Sequence, residues 1–327
     1  MLWPPLYLGG AAPVKRRTFQ AEGALVGRSV VEALVSQLGV GEPEARAFVE
    51  AGAVYLAGRR CRQAEARLRA GQVVAVVLEE GGRSSLEVAQ VAAELSVLFE
   101  DEALLVVDKP SGLTAQPTEG RVGESLVDLV SARLGRPAGL VHRLDRETSG
   151  VTVFGKTPQA TTALAGQFRE GQARKRYLAA TGPGLAPSGT VDLPLSKDPS
   201  RPGRWRASRA ANGVSALTEF FTLYAGEEFC LVELLPRTGR THQLRAHLTA
   251  LGAPILGDAR YGGAARAAGL LAARCLLHAQ ALELSHPRTG APVRFEAPVP
   301  EDLRAFFTAA AVPIPQGAIQ GTGRQPT

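Results

Sequence analysis

HRLDRETSGVTVFGKTP, residues 142–158, is the stretch that decides the reading of this chain. Asp145 stands between Arg143 and Arg146, just ahead of a Thr148-Ser149-Gly150 turn. A carboxylate flanked by two guanidiniums stays ionised and can serve as nucleophile or base. The same spacing also fits a surface turn with solvated ion pairs, and the residues alone leave both readings open. From Gly150 to Thr157 the stretch also matches the phosphate-loop pattern G-x-x-x-x-G-K-[ST]. Such a loop needs a strand before its first glycine and a helix after its Lys-Thr. Here the four spacers are Val-Thr-Val-Phe, which favour a strand themselves. A strand cannot curl its amides round a phosphate, and Pro158 biases Thr157 away from the helical region. The nucleotide-hydrolase reading is therefore set aside, and a strand is expected at 151–154.

Working outward, residues 104–108 read as a second strand and 160–169 as a helix. The runs 214–224 and 229–234 read as paired strands. This order predicts an α+β domain over 97–312 with a mixed, largely antiparallel central sheet and a cleft, not a doubly wound fold. Upstream, a small α/β unit fits 27–80. Val30, Val31, Leu34, Val35 and Leu38 recur with helical spacing before Gly39, and a second helix begins at Glu42. Strands fit 54–56 and 73–78. Residues 81–96, opening with Gly81, Gly82, Ser84 and Ser85, read as a linker. Residues 1–26 read as an irregular lead-in, and 313–327, PIPQGAIQGTGRQPT, as a disordered tail. A length of 327 residues suits two domains at ~150 residues each.

Composition excludes several classes. Hydrophobic residues make up 45% and charged residues 21%, a balance that suits a well-cored globular chain. Cys61, Cys230 and Cys275 lie far apart with no CxxC, which argues against a disulfide framework, a cysteine zinc site and an iron–sulfur cluster. The run 73–78 is too short to span a membrane, and the N-terminus lacks the charged leader of a signal peptide. A reducing cytoplasm is the expected location. Lys plus Arg is 37 against 31 acidic residues, a net +6; only five of the cations are lysines. Arginine is the better fork for phosphate, so a polyanionic partner fits, as does a merely basic soluble enzyme.

The charge is clustered. Arg46, Arg59, Arg60, Arg62, Arg67 and Arg69 face only Glu50 and Glu65 in that stretch. It is either a solvated basic face or one that tracks a phosphate backbone. Arg174-Lys175-Arg176-Tyr177 sets three cations beside an aromatic, either to hold a phosphate and stack a base or as an ordinary strand edge. Residues 197–209 form a basic Pro/Gly-rich loop around Trp205. Residues 237–247, RTGRTHQLRAH, hold Arg237, Arg240 and Arg245 with His242 and His247. If a helix starts at Thr241, His242 and Arg245 share a face. The histidines are five apart with no Glu or Cys near them, so a zinc site is disfavoured. An anion site or a partner for a buried carboxylate fits better.

Together these features resemble the RluA-type pseudouridine synthases. HRLDRETSG at 142–150 and TGRTHQLRAH at 238–247 carry the resemblance. Three further matches follow the family's order: KRYLA at 175–179, GAPILGDARYG at 252–262 and LHA at 277–279. The likeness spans roughly residues 97–300. Asp108, in Asp108-Lys109-Pro110-Ser111-Gly112, stands where the family usually has Asn. Residues 27–80 resemble the small alpha-L RNA-binding module of ribosomal proteins and RNA-modifying enzymes, through the helix pair, the EAGAV turn at 50–54 and Gly71 before a valine strand. That module often has Val-Asn-Gly where this chain has Leu56-Ala57-Gly58.

The resemblance implies an RNA pseudouridine synthase that isomerises uridine by base flipping, with no cofactor and no metal. It implies Asp145 as the catalytic carboxylate, Arg245 as its partner and Tyr177 as the residue stacking on uracil. Arg143, His142, Arg146, Lys175, Arg176, Arg237, Arg240 and His242, with Arg46, Arg59, Arg60 and Arg62, are the expected RNA contacts. Large-subunit ribosomal RNA is the expected substrate, with transfer RNA as the alternative, and the chain is expected to act as a monomer. A non-catalytic RNA-binding or ribosome-assembly factor on the same fold is the rival reading.

Overall fold

The computed structural model describes residues 15–50, 53–61, 63–78, 94–117, 125–209, 213–317 and 319. By internal contact the chain divides into two compact units, Met1–Glu94 with Thr114–Pro137 and Leu95–Leu113 with Ala138–Thr327. Residues 79–93, most of the expected linker, lie outside the described residues, as do Arg62 and residues 1–14.

The first unit opens with β1 (Lys15–Gln20). Helix α1 (Val30–Leu38) starts where Ser29 and Glu32 bond reciprocally, Glu32 N to Ser29 Oγ at 3.2 Å and Ser29 N to Glu32 Oε2 at 2.7 Å. This capping box satisfies two N-terminal amides that the helix cannot pair. Gly39, at φ 70°, ends the helix in the left-handed conformation that glycine takes at little cost. Then come α2 (Glu42–Glu50), β2 (Val54–Leu56), β3 (Arg59–Arg60) and β4 (Val73–Leu78). The strands order as β1-β4-β2-β3. Val30, Leu34, Ala45, Val49, Val54, Val74 and Val76 are completely buried and form a core. The lead-in is not irregular throughout: 15–20 pairs along β4, and Ala21 is buried. Phe19 is the only strong apolar signal there, because a strand held through its backbone needs few apolar side chains. Helix α3 (Leu126–Leu134) repeats the box with Ser125 and Asp128.

The second unit is built on one large sheet. Its elements are β5 (Val97–Glu100), β6 (Leu104–Lys109), β7 (Gly139–Leu140), β8 (Ser149–Gly155), α4 (Pro158–Arg169), β9 (Arg174–Thr181), β10 (Ser188–Asp192), β11 (Leu195–Lys197), β12 (Trp205–Ala207), β13 (Leu217–Ala225), β14 (Cys230–Pro236), α5 (Gln243–Ala250), β15 (Arg266–Ala267), β16 (Leu270–Leu271), β17 (Leu277–Ser285), β18 (Pro292–Glu296) and α6 (Glu301–Ala309). The sheet runs β10-β13-β14-β9-β17-β8-β6-β5, with β18 joined to β17 and β7 to β8. Every pairing is antiparallel except β8 with β17. This is the expected α+β architecture, a mixed and largely antiparallel sheet.

The phosphate-loop spacers form β8, every residue of which is buried. Thr157 caps α4 through Ala160 N, and Pro158 takes the first turn, where its missing N–H costs nothing. Gly150 is required where β8 meets β17: at φ 117°, a Cβ would stand 2.2 Å from the Ala279 carbonyl oxygen. One core packs Leu178, Leu231 and Leu234 against Leu248, Leu303, Phe306 and Phe307; another packs Leu104, Val106 and Val153 against Leu164 and Leu282. Fully burying each such side chain contributes about 2 kcal/mol. The expected disordered tail is corrected over its described part. Arg176 donates to Gly317 O at 3.0 Å, Ile319 N donates to Glu283 Oε1 at 2.6 Å, and Ile319 is buried with Leu235 and Ala281. Ile319 is a buried anchor of this Pro/Gly/Gln-rich segment. Residues 318 and 320–327 lie outside the described residues.

Candidate active site

Asp145 sits in the loop between β7 and β8, and a second loop clamps it in place. Thr148 N closes a turn onto Asp145 O at 3.1 Å. Lys109, at the end of β6, is completely buried. Its ammonium donates to Pro110 O and Leu113 O, both at 2.8 Å, and to Arg146 O at 3.2 Å. Burial pulls this lysine down to about 7, against the opposing charges of Asp145 and Glu147. Gly112 N donates to Arg146 O at 2.8 Å, and Ser111 Oγ to Glu147 O at 2.7 Å. The segment 109–112 thus ties down the carbonyls that follow Asp145. Asp108, beside it, is raised to about 6 by burial.

The carboxylate meets two side chains from the start of α5. Arg245 Nη1 lies 3.5 Å from Asp145 Oδ2, and His242 Nε2 lies 3.9 Å from the same oxygen. Asp145 keeps 24% of its side-chain surface exposed, so it is reachable, whereas Arg245 keeps 5%. Arg245 is aimed by Asp258, through Nε–Oδ2 at 2.7 Å and Nη2–Oδ1 at 2.8 Å. Burial works against its charge, but the Asp258 pair and the Asp145 carboxylate outweigh that and hold it protonated. The guanidinium lies over the Tyr261 ring, 4.9 Å from its centroid. Tyr177 stands on β9, in register with Leu234 on β14 and Ala279 on β17. Ala279 is also in register with Gly150, so Tyr177 lies across β17 from the strand that leaves the Asp145 loop. Burial, and then the Asp145 charge, push the Tyr177 phenol well above its ordinary value, so it is neutral at physiological pH.

The other expected site residues divide. Arg143, Arg59 and Arg240 are exposed, and Arg240 also donates to Ser215 O at 3.1 Å. Arg146 is exposed and bonds Gly112 O at 3.1 Å. Lys175 is half-buried, and burial lowers it to about 8. Arg237 holds Glu219 in a two-pronged pair at 2.8 and 2.9 Å. Arg46 bonds Glu42 and Glu65 at 3.3 and 2.9 Å. For Arg60 only the backbone is described, on β3.

Two expected RNA contacts are turned inward. Arg176 is completely buried, its Nε 2.5 Å from Glu233 Oε1, because alternate residues of β9 face the core. His142 accepts from Val153 N at 3.0 Å and stacks on Phe168 at 4.4 Å. Burial holds it neutral, down to about 3. His247 also faces inward, on Thr218 and Leu193 O. The two histidines of the 237–247 stretch therefore point to different neighbours. Among the described residues no three of His, Cys, Asp or Glu cluster as a metal site would require.

The roles of Lys109, Asp258 and Tyr261 were not assigned from sequence. All three lie inside quoted motifs, and their presence there was the signal. What they touch depends on chain separated by 13 to 56 residues.

Comparison with known proteins agrees with this arrangement. Residues 103–250 match the family model described as RNA pseudouridylate synthase. The chain is 37% identical over 279 residues to the ribosomal large subunit pseudouridine synthase D of Xanthomonas campestris, covering 80% of this chain and 82% of that one. It is 43% identical over 210 residues to the dual-specificity RNA pseudouridine synthase RluA of Escherichia coli K12, covering 62% of this chain and 93% of that one. Among solved structures, human RNA pseudouridylate synthase domain containing 4 superposes with a TM-score of 0.59 at 27% identity, covering 71% of this chain and all of that one. With these matches and with Asp145, Arg245 and Tyr177 gathered round one sheet, the chain belongs to the RluA-type family of RNA pseudouridine synthases.

Proposed function

We propose that Asp145 is the catalytic carboxylate and that the substrate is a uridine in large-subunit ribosomal RNA. The observation that carries the catalytic assignment is the approach of Arg245 to Asp145 Oδ2 at 3.5 Å in a largely buried pocket. A desolvated carboxylate without a partner would take up a proton instead. Arg245, held by Asp258, supplies that partner, whether the carboxylate meets the nucleoside at the ribose or at the base.

The chemistry is an isomerisation. The bond from uracil N1 to ribose C1′ breaks, C5 bonds to C1′, the C5 proton leaves and N1 gains a proton. No electrons are gained or lost, so the chain's own acids and bases suffice. The uridine must first leave its stack, at a cost of a few kcal/mol. Arg143, exposed two residues from Asp145, fills the gap it leaves. Tyr177 stacks on the extruded uracil as a neutral phenol. Arg59, Arg240 and Arg146 hold phosphates, and the unit containing 27–80 acts as the RNA-binding module. The protein works in the cytoplasm, where its RNA is made; among the described residues no helix is long and apolar enough to cross a membrane.

The ribosomal target is supported by the relative named for the large subunit, which matches over four-fifths of this chain. The relative whose name states dual specificity makes transfer RNA the second target to examine. Pseudouridines are mapped in total RNA from cells with the gene, without it, and with Asp145→Asn. The proposal expects at least one large-subunit site to disappear in both altered strains. A site lost only from transfer RNA overturns the target, and a site kept with Asp145→Asn overturns the catalytic assignment.

A further inference from the structure

His242 is the residue at this site whose backbone and side chain are both unusual. It precedes α5 with φ 55° and ψ 20°, a left-handed conformation that residues other than glycine seldom take. Its side chain makes no capping bond to the helix it begins. It turns instead to Tyr261, with Nδ1 2.9 Å from the phenol oxygen and the rings edge to face at 5.7 Å. An unfavourable backbone held by a specific side-chain contact beside a reactive group points to a role in function.

The bonding fixes the histidine's tautomer. Tyr261 is buried, and its hydroxyl has two partners among the described residues, Trp205 N and His242 Nδ1. Trp205 N can only donate, so the hydroxyl oxygen accepts there at 2.9 Å. The hydroxyl's own proton then goes to His242 Nδ1. With Nδ1 accepting, a neutral ring carries its proton on Nε2. Nε2 is the atom that faces Asp145 Oδ2, at 3.9 Å. The opposite tautomer would aim a lone pair at the carboxylate and leave the buried hydroxyl proton unplaced. Two separate parts of the network therefore demand the same proton position. Tyr261 serves both partners of Asp145, since its hydroxyl sets His242 and its ring lies under Arg245. Both partners approach the same oxygen, Oδ2. Catalytic contacts are often long without substrate and tighten when it binds.

We propose that His242, locked by Tyr261 with its proton on Nε2, is a positioning residue that fixes Oδ2 of Asp145 together with Arg245 and so presents Oδ1 to the nucleoside. This rests on Asp145 being the catalytic carboxylate. It removes His242 from the RNA contacts and gives the buried Tyr261 hydroxyl a purpose.

The test uses the full-length enzyme and C5-tritiated RNA extracted from cells lacking it, with tritium release followed at several RNA concentrations. His242→Gly relieves the backbone and removes the ring. Tyr261→Phe keeps the ring under Arg245 and removes only the hydroxyl. Each should lower kcat on the order of 10- to 100-fold, as losing an orienting contact does. KM should stay within about threefold, and the double variant should be no worse than His242→Gly, since the two act as one unit. His242→Asn tolerates the left-handed backbone and keeps a bond to Tyr261 but cannot reach Asp145. It should lose the same kcat, which covers the case where His242→Gly folds poorly. His242→Gln, whose amide reaches the Nε2 position, should recover part of the loss. Unchanged kcat in His242→Asn and Tyr261→Phe, or a change confined to KM, overturns the proposal. Asp145→Asn is run alongside: turnover by that variant would instead overturn the reading of Asp145 on which the proposal rests.

Discussion

Arg245 keeps its charge through what it is bonded to, against the effect of its burial. Arg245 is almost wholly buried and remains a cation because Asp258 holds two of its nitrogens. That leaves Nη1 for Asp145. A lysine could supply a positive charge but not three nitrogens in fixed directions. Arg245→Lys should therefore lose at least about tenfold in kcat while folding normally, as read by tritium release and thermal unfolding. Arg176 is the contrasting case. Its sequence context, between Lys175 and Tyr177, reads as a phosphate contact, yet it is buried against Glu233. Arg176→Met removes the guanidinium beside a buried carboxylate and should cost about 3–5 kcal/mol in urea unfolding. The folded fraction should bind RNA as the parent does; a selective loss of RNA affinity would restore Arg176 to the interface.

Elements were legible wherever periodicity and a stop signal coincided. Helix α1 ends at Gly39 as the sequence indicates, and the strands at 104–108 and 151–154 formed with extended ends. The phosphate-loop match failed for the reason given by its spacers, which are strand formers. Helix α3 was missed because only Leu126, Leu129 and Val130 are buried on it, a stripe too short to stand out. Strand β1 was missed because its pairing is a backbone matter. At the site, Asp145, Tyr177 and Arg245 were legible as members of sequence motifs. The clamp by Lys109 and the aiming of Arg245 by Asp258 arise only when distant segments meet. The hairpin joining β2 to β3 offers a check at this scale. Ala57 and Gly58, its two turn residues, have φ 47° and 78°. A two-residue turn with both φ positive favours Asn-Gly, and alanine pays a steric penalty there. Ala57→Asn should stabilise the first unit by about 1 kcal/mol, seen as a later urea midpoint for that unit. No gain would mean that the turn is not held in this conformation.

Across the whole molecule, stability should depend on pH through histidines that fold in neutral. His278 is completely buried, its Nδ1 3.0 Å from Ser149 Oγ and its Nε2 3.4 Å from Ala297 O. Burial lowers it to about 4, against roughly 6.5 in an unfolded chain. Between those values the unfolded chain binds a proton that the folded chain does not, so stability rises with pH across that window and is lost as pH falls from about 6.5 towards 4. His142, lowered to about 3, acts in the same direction. His278→Asn should flatten the slope of the urea midpoint between pH 6.5 and 4; an unchanged slope would mean that His278 is charged in the folded protein.

The net +6 also takes its meaning at this scale. Arg176, Arg237 and Arg245 each already face a carboxylate, so these pairs add nothing to it. The exposed share, including Arg59, Arg143 and Arg240, is what remains for a polyanion. The central claim is that one carboxylate in this assembly performs the isomerisation. The most direct measurement is tritium release from C5-labelled RNA by Asp145→Asn, at enzyme excess, on protein shown to unfold at the parent's temperature. The substitution keeps shape and removes charge. The account predicts no release above the enzyme-free control; release at the parent's rate would contradict it.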